Sequence, residues 1–203
     1  MTSIRNNEDR YLDAARACIL ATGWKRTTLT DVARRAGVSR MTIYRTWPDM
    51  ETLLADLMTR EWGGVVTEVA SAGEGGPLER LSQGVARTVS ALRSNDLFRK
   101  IVEVDPELLL PYLLQRRGRS QDNILALTAD LIAAGQADGS VRAGDPTLLA
   151  RSMLLAAHGF TLSAETMTET TAETTAETAA GSGRTIEAFD DELRLMLERY
   201  LAP

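Results

Sequence analysis

Histidine, cysteine and aromatic residues are scarce in this chain. One cysteine and one histidine occur in 203 residues, and aromatic side chains make up 5%. A lone cysteine closes no internal disulfide and builds no cysteine-cluster metal site. The lone histidine, His158, has no second ligand at metal spacing. Cys18 stands among Leu12, Ala15 and Ile19 at helical spacing, the setting of a buried structural thiol rather than a redox sensor. No apolar run approaches the ~20 residues of a membrane span, and the polar opening MTSIRNNEDR carries no signal-peptide core. A cytoplasmic protein with no membrane partner is expected. Glycine-rich phosphate loops, a nucleophile elbow and helical carboxylate pairs are all missing. Glu103 and Asp105 are close in sequence but read as a helix end and the cap after it. The expectation is therefore no enzyme, no metal and no cofactor.

What charge there is lies unevenly. The net charge is −5, with hydrophobic content 44% and charged content 25%, values of an ordinary globular protein. Residues 1–60 hold ten Lys and Arg against seven Asp and Glu, a balance of +3, and the remainder carries −8. An acidic body with a mildly basic N-terminal segment is compatible with a nucleic-acid reader whose larger part does something else.

Helical periodicity dominates and no alternating strand stands out, so an all-α fold is predicted. A first helix is expected over 8–21, ended by Gly23. Thr28 caps a second, with Asp31 three residues on, and Leu29, Val32, Ala33 and Ala36 form one apolar stripe. Gly37 permits a tight turn and Ser39 caps a short third helix. Asp49 caps a long fourth to about residue 72, with Leu54, Leu57, Trp62, Val65 and Val69 inward. The run 73–77, Gly-Glu-Gly-Gly-Pro, is the clearest break. Pro77 opens a helix to about residue 92, and 96–103 is a shorter one. Asp105-Pro106 and Asp145-Pro146 each read as a cap followed by proline at the first helical position. Ser120 caps a helix through residue 137. The last helix, about 185–201, places Ile186, Phe189, Leu193, Leu197 and Tyr200 on one face. One segment differs: residues 165–180 repeat a Thr-Ala-Glu-Thr unit with no apolar stripe, and 165–184 is expected to be a solvated, flexible Thr/Glu-rich loop.

The third helix, within Gly37-Val38-Ser39-Arg40-Met41-Thr42-Ile43-Tyr44-Arg45-Thr46-Trp47-Pro48, is barely two turns long. At about 100° per residue Ile43 and Trp47 lie together beneath the second helix. Met41, Thr42, Tyr44 and Arg45 fill the opposite arc, with Arg40 at its edge. Such a face suits the DNA major groove: Arg40 and Arg45 can pair with guanine edges, and Met41 can meet a thymine methyl. Thr42 and Tyr44 can reach phosphates. With the capped helix before it this is a helix–turn–helix; the plainer reading is a short amphipathic helix with solvated arginines.

The run TTLTDVARRAGVSRMTIYRTWPDMETL, residues 27–53, resembles the N-terminal signature of TetR-type transcriptional repressors. The match covers about 50 residues when the preceding amphipathic helix and Gly23 are included. The resemblance implies a three-helix helix–turn–helix domain over 1–48. A long helix then leads into a helical effector-binding and dimerisation domain over 49–203. It implies a homodimer on a near-palindromic double-stranded DNA operator, released by a small-molecule effector. By position it assigns base contacts to Arg40, Met41 and Arg45, and phosphate contacts to Thr28, Thr42 and Tyr44. Two departures stand out. Met50 occupies a position where the family commonly has lysine, and Trp47 replaces a more usual phenylalanine, read as a change of packing only.

Residues 77–203 carry no motif of chemistry. The helix over 146–163 is apolar nearly all round, so one side covers its own domain and the other needs a partner. With the helix over 185–201 it predicts a four-helix bundle across a two-fold axis, the pairing the family uses; a wholly intramolecular core is the alternative. A ligand pocket among the middle helices would draw on Trp62, Phe98, Tyr112, Met153, His158 and Phe160, although large apolar residues at helical spacing also serve as core. Two other functions compete: a constitutive regulator or activator with no effector, and a helical dimer whose N-terminal unit binds protein.

Overall fold

The computed structural model describes residues 2–168 and 185–203. Among them there are ten α-helices and no strand: α1 (Thr2–Thr22), α2 (Leu29–Ala36), α3 (Arg40–Thr46), α4 (Met50–Ser71), α5 (Pro77–Ser94), α6 (Asp96–Val104), α7 (Leu110–Leu114), α8 (Arg119–Ala137), α9 (Pro146–Ser163) and α10 (Ile186–Leu201). Short 3-10 turns follow at Pro106–Leu108 and Ala164–Met167. The all-α expectation holds. The Thr/Glu segment opens on the 3-10 turn Ala164–Met167, of which Ala164 is buried; residues 169–184 lie outside the described residues.

Two compact units are present. One comprises Met1–Gly63 and Ser94–Asp122, the other Gly64–Arg93 and Asn123–Pro203, so the boundary falls within α4, before the last residue of α5 and within α8. In the first, α1 packs on α2 and on α6, and α2 packs on α3. Leu12, Ala15, Ile19, Leu29, Val32, Ala33, Ile43, Trp47, Leu53 and Leu57 are buried. In the second, α9 packs on α10. The core there gathers Leu81, Val89, Ile132, Val141, Leu149, Met153, Leu193, Leu197 and Leu201.

Several local expectations need correction. Helix α1 starts at Thr2, six residues before the expected start at Glu8. Cys18 is only partly buried, although that burial raises its pKa above the ordinary thiol value. Asp105 does not cap the turn that follows it; its buried carboxylate instead accepts the Trp24 backbone N–H at 2.7 Å. Ser120 sits inside α8, which begins at Arg119, and the Gln121 side chain takes the Gly118 N–H at 2.7 Å. On α10 the third buried position after Leu193 and Leu197 is Leu201. Tyr200 is exposed, with the Arg142 guanidinium 4.6 Å from its ring centre. Asp145 behaves as expected, accepting the Thr147 N–H at 2.9 Å ahead of Pro146.

Candidate nucleic-acid interface

The short helix owes its place to its caps and two anchors. Thr28 and Asp31 form a reciprocal capping box at α2: the Thr28 hydroxyl accepts the Asp31 N–H at 3.2 Å, and Asp31 accepts the Thr28 N–H at 3.1 Å. These bonds from Thr28 hold the Asp31 carboxyl below its ordinary pKa. Gly37, at φ 68° and ψ 34°, ends α2 in the left-handed region that glycine adopts without steric cost. Ser39 then accepts the Thr42 N–H at 3.2 Å and starts α3. Ile43 is fully buried, and the Trp47 N–H closes the helix on the Ile43 carbonyl at 2.8 Å. Asp49 opens α4 by accepting the Thr52 N–H at 2.7 Å.

The outer face of α3 is left to solvent. Met41 is 75% exposed and Tyr44 44%, and Arg40 and Arg45 are exposed as well. Among the described residues neither arginine has a carboxylate or carbonyl partner. Ser39, Met41, Thr42, Tyr44 and Arg45 line one shallow, open concavity, with Arg40 outside its lining. Five of the six residues singled out for DNA contact therefore lie on this seven-residue helix, and Thr28 lies one helix earlier. The Thr28 hydroxyl is already committed, donating to Asp31 at 2.6 Å. The Thr42 hydroxyl shares a hydrogen bond with that of Ser39 at 2.9 Å. Ser39, whose spacing marks it as a cap, also lines the concavity because it stands one residue before the helix.

Trp47 requires a further correction. It is more than a larger phenylalanine, because its indole N–H donates to Asp56 Oδ2 at 2.7 Å, while Tyr11 meets its ring edge-on at 6.3 Å. Nothing local in the sequence marks Asp56, nine positions away on another helix.

Residues 12–57 match the family model described as bacterial regulatory proteins, tetR family. An uncharacterised helix–turn–helix-type transcriptional regulator of Mycobacterium bovis is 36% identical over 156 residues, spanning 77% of this chain and 80% of that protein. The chain belongs to the TetR family. It is a DNA-binding transcriptional regulator of the helix–turn–helix type. Solved TetR-family structures share the fold. The transcriptional repressor QsdR of Rhodococcus erythropolis superposes with a TM-score of 0.64 at 19% identity, over 95% of each chain. SmeT, the repressor of a Stenotrophomonas maltophilia multidrug efflux pump, does so in its triclosan complex with a TM-score of 0.62 at 18% identity, over 98% of this chain and 92% of that one.

The six residues considered for an effector fall three to each unit. Trp62 and Phe98 are brought together edge to face, with centroids 6.3 Å apart and planes at 73°. The Trp62 indole N–H is buried and has no acceptor among the described residues. Tyr112 is partly buried, with Arg116 5.3 Å from its ring centre. In the other unit Met153 is fully committed to the core and Phe160 packs against it. His158 is partly buried, and desolvation pushes its pKa below the ordinary histidine value. No described helix is long and apolar enough to cross a membrane, and no group of three or more metal-ligating side chains occurs among the described residues.

Proposed function

We propose that this TetR-family regulator is a dimeric, cytoplasmic repressor that binds a near-palindromic operator and is released by a small-molecule effector. The observation that carries the DNA reading is the outer face of α3: two unpaired guanidinium groups, a phenol and an exposed thioether on a helix whose other side is fully buried. A helix with that division of labour fits the major groove. Arg40 and Arg45 pair with guanine O6 and N7, and Met41 covers a thymine methyl. Thr42 and Tyr44 contact phosphates and fix the register. Thr28 adds a phosphate contact only by releasing its hydroxyl from Asp31. Residues 1–48 thus supply the reading head, and 49–203 the effector-binding and dimerisation part.

Dimerisation through α9 and α10 is supported by what those helices leave uncovered. Leu148 and Leu155, two helical turns apart on α9, are 59% and 72% exposed, and Met196 and Tyr200 are exposed one turn apart on α10. Paired recognition helices then address half-sites ~34 Å apart. An effector acts by favouring a conformer in which that spacing is wrong, and the release it causes is limited by its difference in affinity for the two conformers. The orphaned Trp62 donor beside Phe98 is the best support for an effector contact, since a buried N–H without an acceptor costs about 1–3 kcal/mol that a ligand oxygen would recover. Repression by QsdR and the triclosan complex of SmeT are the corresponding behaviours of fold relatives.

The test is a selection of genomic fragments at moderate salt by the wild type and by Tyr44→Ala. Enrichment of a short inverted repeat by the wild type, lost in the variant, is the expected result. Equal recovery of scattered fragments by both proteins would refute the DNA reading and return the face of α3 to a protein partner.

A further inference from the structure

Trp47 stands at the end of α3, and one carboxylate holds it. Asp56, in the second turn of α4, accepts the Trp47 indole N–H on Oδ2 at 2.7 Å. Its other oxygen, Oδ1, takes the guanidinium of Arg119, the first residue of α8. A single side chain thus joins three elements of the same unit: the last residue of the helix–turn–helix, the helix that follows it and the opening of a helix more than sixty residues later.

The tie matters because α3 is too short to place itself. Seven residues form less than two turns, below the length at which a helix is stable alone, so its orientation comes from what it packs on. Its inner contacts are Ile43 and Trp47. Apolar burial of Ile43 is non-directional. The Trp47 indole is not: its ring is 2% exposed, and its N–H must point at an acceptor or go unpaired. Asp56 aims that bond, and an ionised acceptor makes it about twice as strong as a neutral one. Arg119 in turn restrains the carboxylate that would otherwise rotate about its own bonds.

We propose that Asp56 is a positioning residue for operator binding and that Arg119 sets its orientation, so that the angle of α3 depends on where α8 begins. This rests on α3 being the DNA-reading helix. Any change that withdraws the start of α8 removes Arg119, frees the carboxylate and loosens the Trp47 end of α3 without unfolding the unit. The Arg119 side chain is 62% exposed, so as a plain surface ion pair it would contribute little to global stability.

The experiment combines an indole N–H spectrum with operator binding. Selective labelling of the tryptophans gives three indole resonances, and Trp47→Phe assigns its own by deletion. In Arg119→Gln the Trp47 resonance moves while those of Trp24 and Trp62 stay, and the melting temperature is unchanged. Affinity for a duplex carrying the inverted repeat selected by the wild type falls about two- to thirtyfold, the range of couplings carried through such networks. Arg119→Lys restores part of it. In a Trp47→Phe background Arg119→Gln adds little further loss, because the two act through one path. An unmoved resonance, or wild-type affinity in Arg119→Gln, overturns the proposal. So does a full Arg119→Gln loss on the Trp47→Phe background, which would make Arg119 a direct DNA contact. A wild type that binds no duplex at all brings down the DNA reading itself, a result distinct from the others.

Discussion

Replacing Arg93 by methionine would remove the cation around which α5, α9 and α10 are joined. Its guanidinium pairs with Asp190 of α10 and donates to the Phe160 carbonyl of α9 at 3.2 Å. The Arg93 side chain is 7% exposed and that of Asp190 19%. Methionine keeps the apolar stem, so the loss is of charge and hydrogen bonding rather than volume. Deleting one partner of a buried pair costs about 3–5 kcal/mol, because the other charge is left uncompensated. Water still reaches Asp190, which sets the expectation at the lower end, about 3 kcal/mol. For a chain of this length that corresponds to a fall of roughly 6–12 °C in melting temperature. Urea titration followed by two probes makes the test local. All three tryptophans, Trp24, Trp47 and Trp62, belong to the unit that lacks Arg93. Circular dichroism should therefore shift more than tryptophan fluorescence wherever the two units unfold separately, and both should shift together where they unfold as one. Adding Asp190→Leu to Arg93→Met should recover most of the loss, since a buried pair exchanged for apolar residues is often neutral. A single variant within about 1 kcal/mol of the wild type, or a double variant as unstable as the two singles summed, would refute the reasoning.

Gly37→Ala should cost about 1 kcal/mol of thermal stability, because φ is 68° there and nothing lies within 4 Å of an added Cβ, which leaves only the left-handed backbone penalty; an unchanged melting temperature would count against it. His158 contributes a pH dependence of known sign. Burial holds its folded pKa below the ordinary 6.5, so the unfolded chain protonates first and stability is lost as pH falls through that value. His158→Gln should accordingly show a smaller drop in melting temperature between about pH 7.5 and about 5.5 than the wild type, and an identical drop would assign the titration elsewhere. Leu155→Glu should convert a dimer to monomers in sedimentation while leaving the helical content intact, as expected for a side chain 72% exposed on α9; an unchanged mass would place the dimer contact on another face.

The parts of this fold that could be read in the sequence are those determined within a few residues. Thr28 and Asp31, Gly37, Ser39, Asp49 and the Asp145-Pro146 pair act through backbone groups at fixed offsets, so their spacing states their role. The outer face of α3 was legible for the same reason, being the complement of Ile43 and Trp47 on a helix. What could not be read depends on contacts far apart in the chain. Asp105 looks like a cap beside Pro106, yet Trp24, 81 positions earlier, claims its carboxylate. Tyr200 and Leu201 both continue an apolar stripe, and only the packing of α10 decides that Leu201 turns inward. The association of Ser94–Asp122 with the N-terminal residues has no local signal at all.

The acidity of the whole chain does not oppose DNA binding, because charge acts over the distance that salt leaves unscreened, about 8 Å at physiological ionic strength. Within 28–49 four arginines face two carboxylates. Both carboxylates are engaged by helix N-termini: Asp31 takes backbone and hydroxyl protons of Thr28, and Asp49 takes the N–H of Thr52. Those bonds keep both acids ionised to lower pH than usual and point them at backbone dipoles. The arginines divide differently. Arg34 pairs with Asp31, while Arg40 and Arg45 stay unpaired beside Met41 and Tyr44. The outer face of α3 is therefore cationic, and the acids near it are engaged in capping the helices that present it.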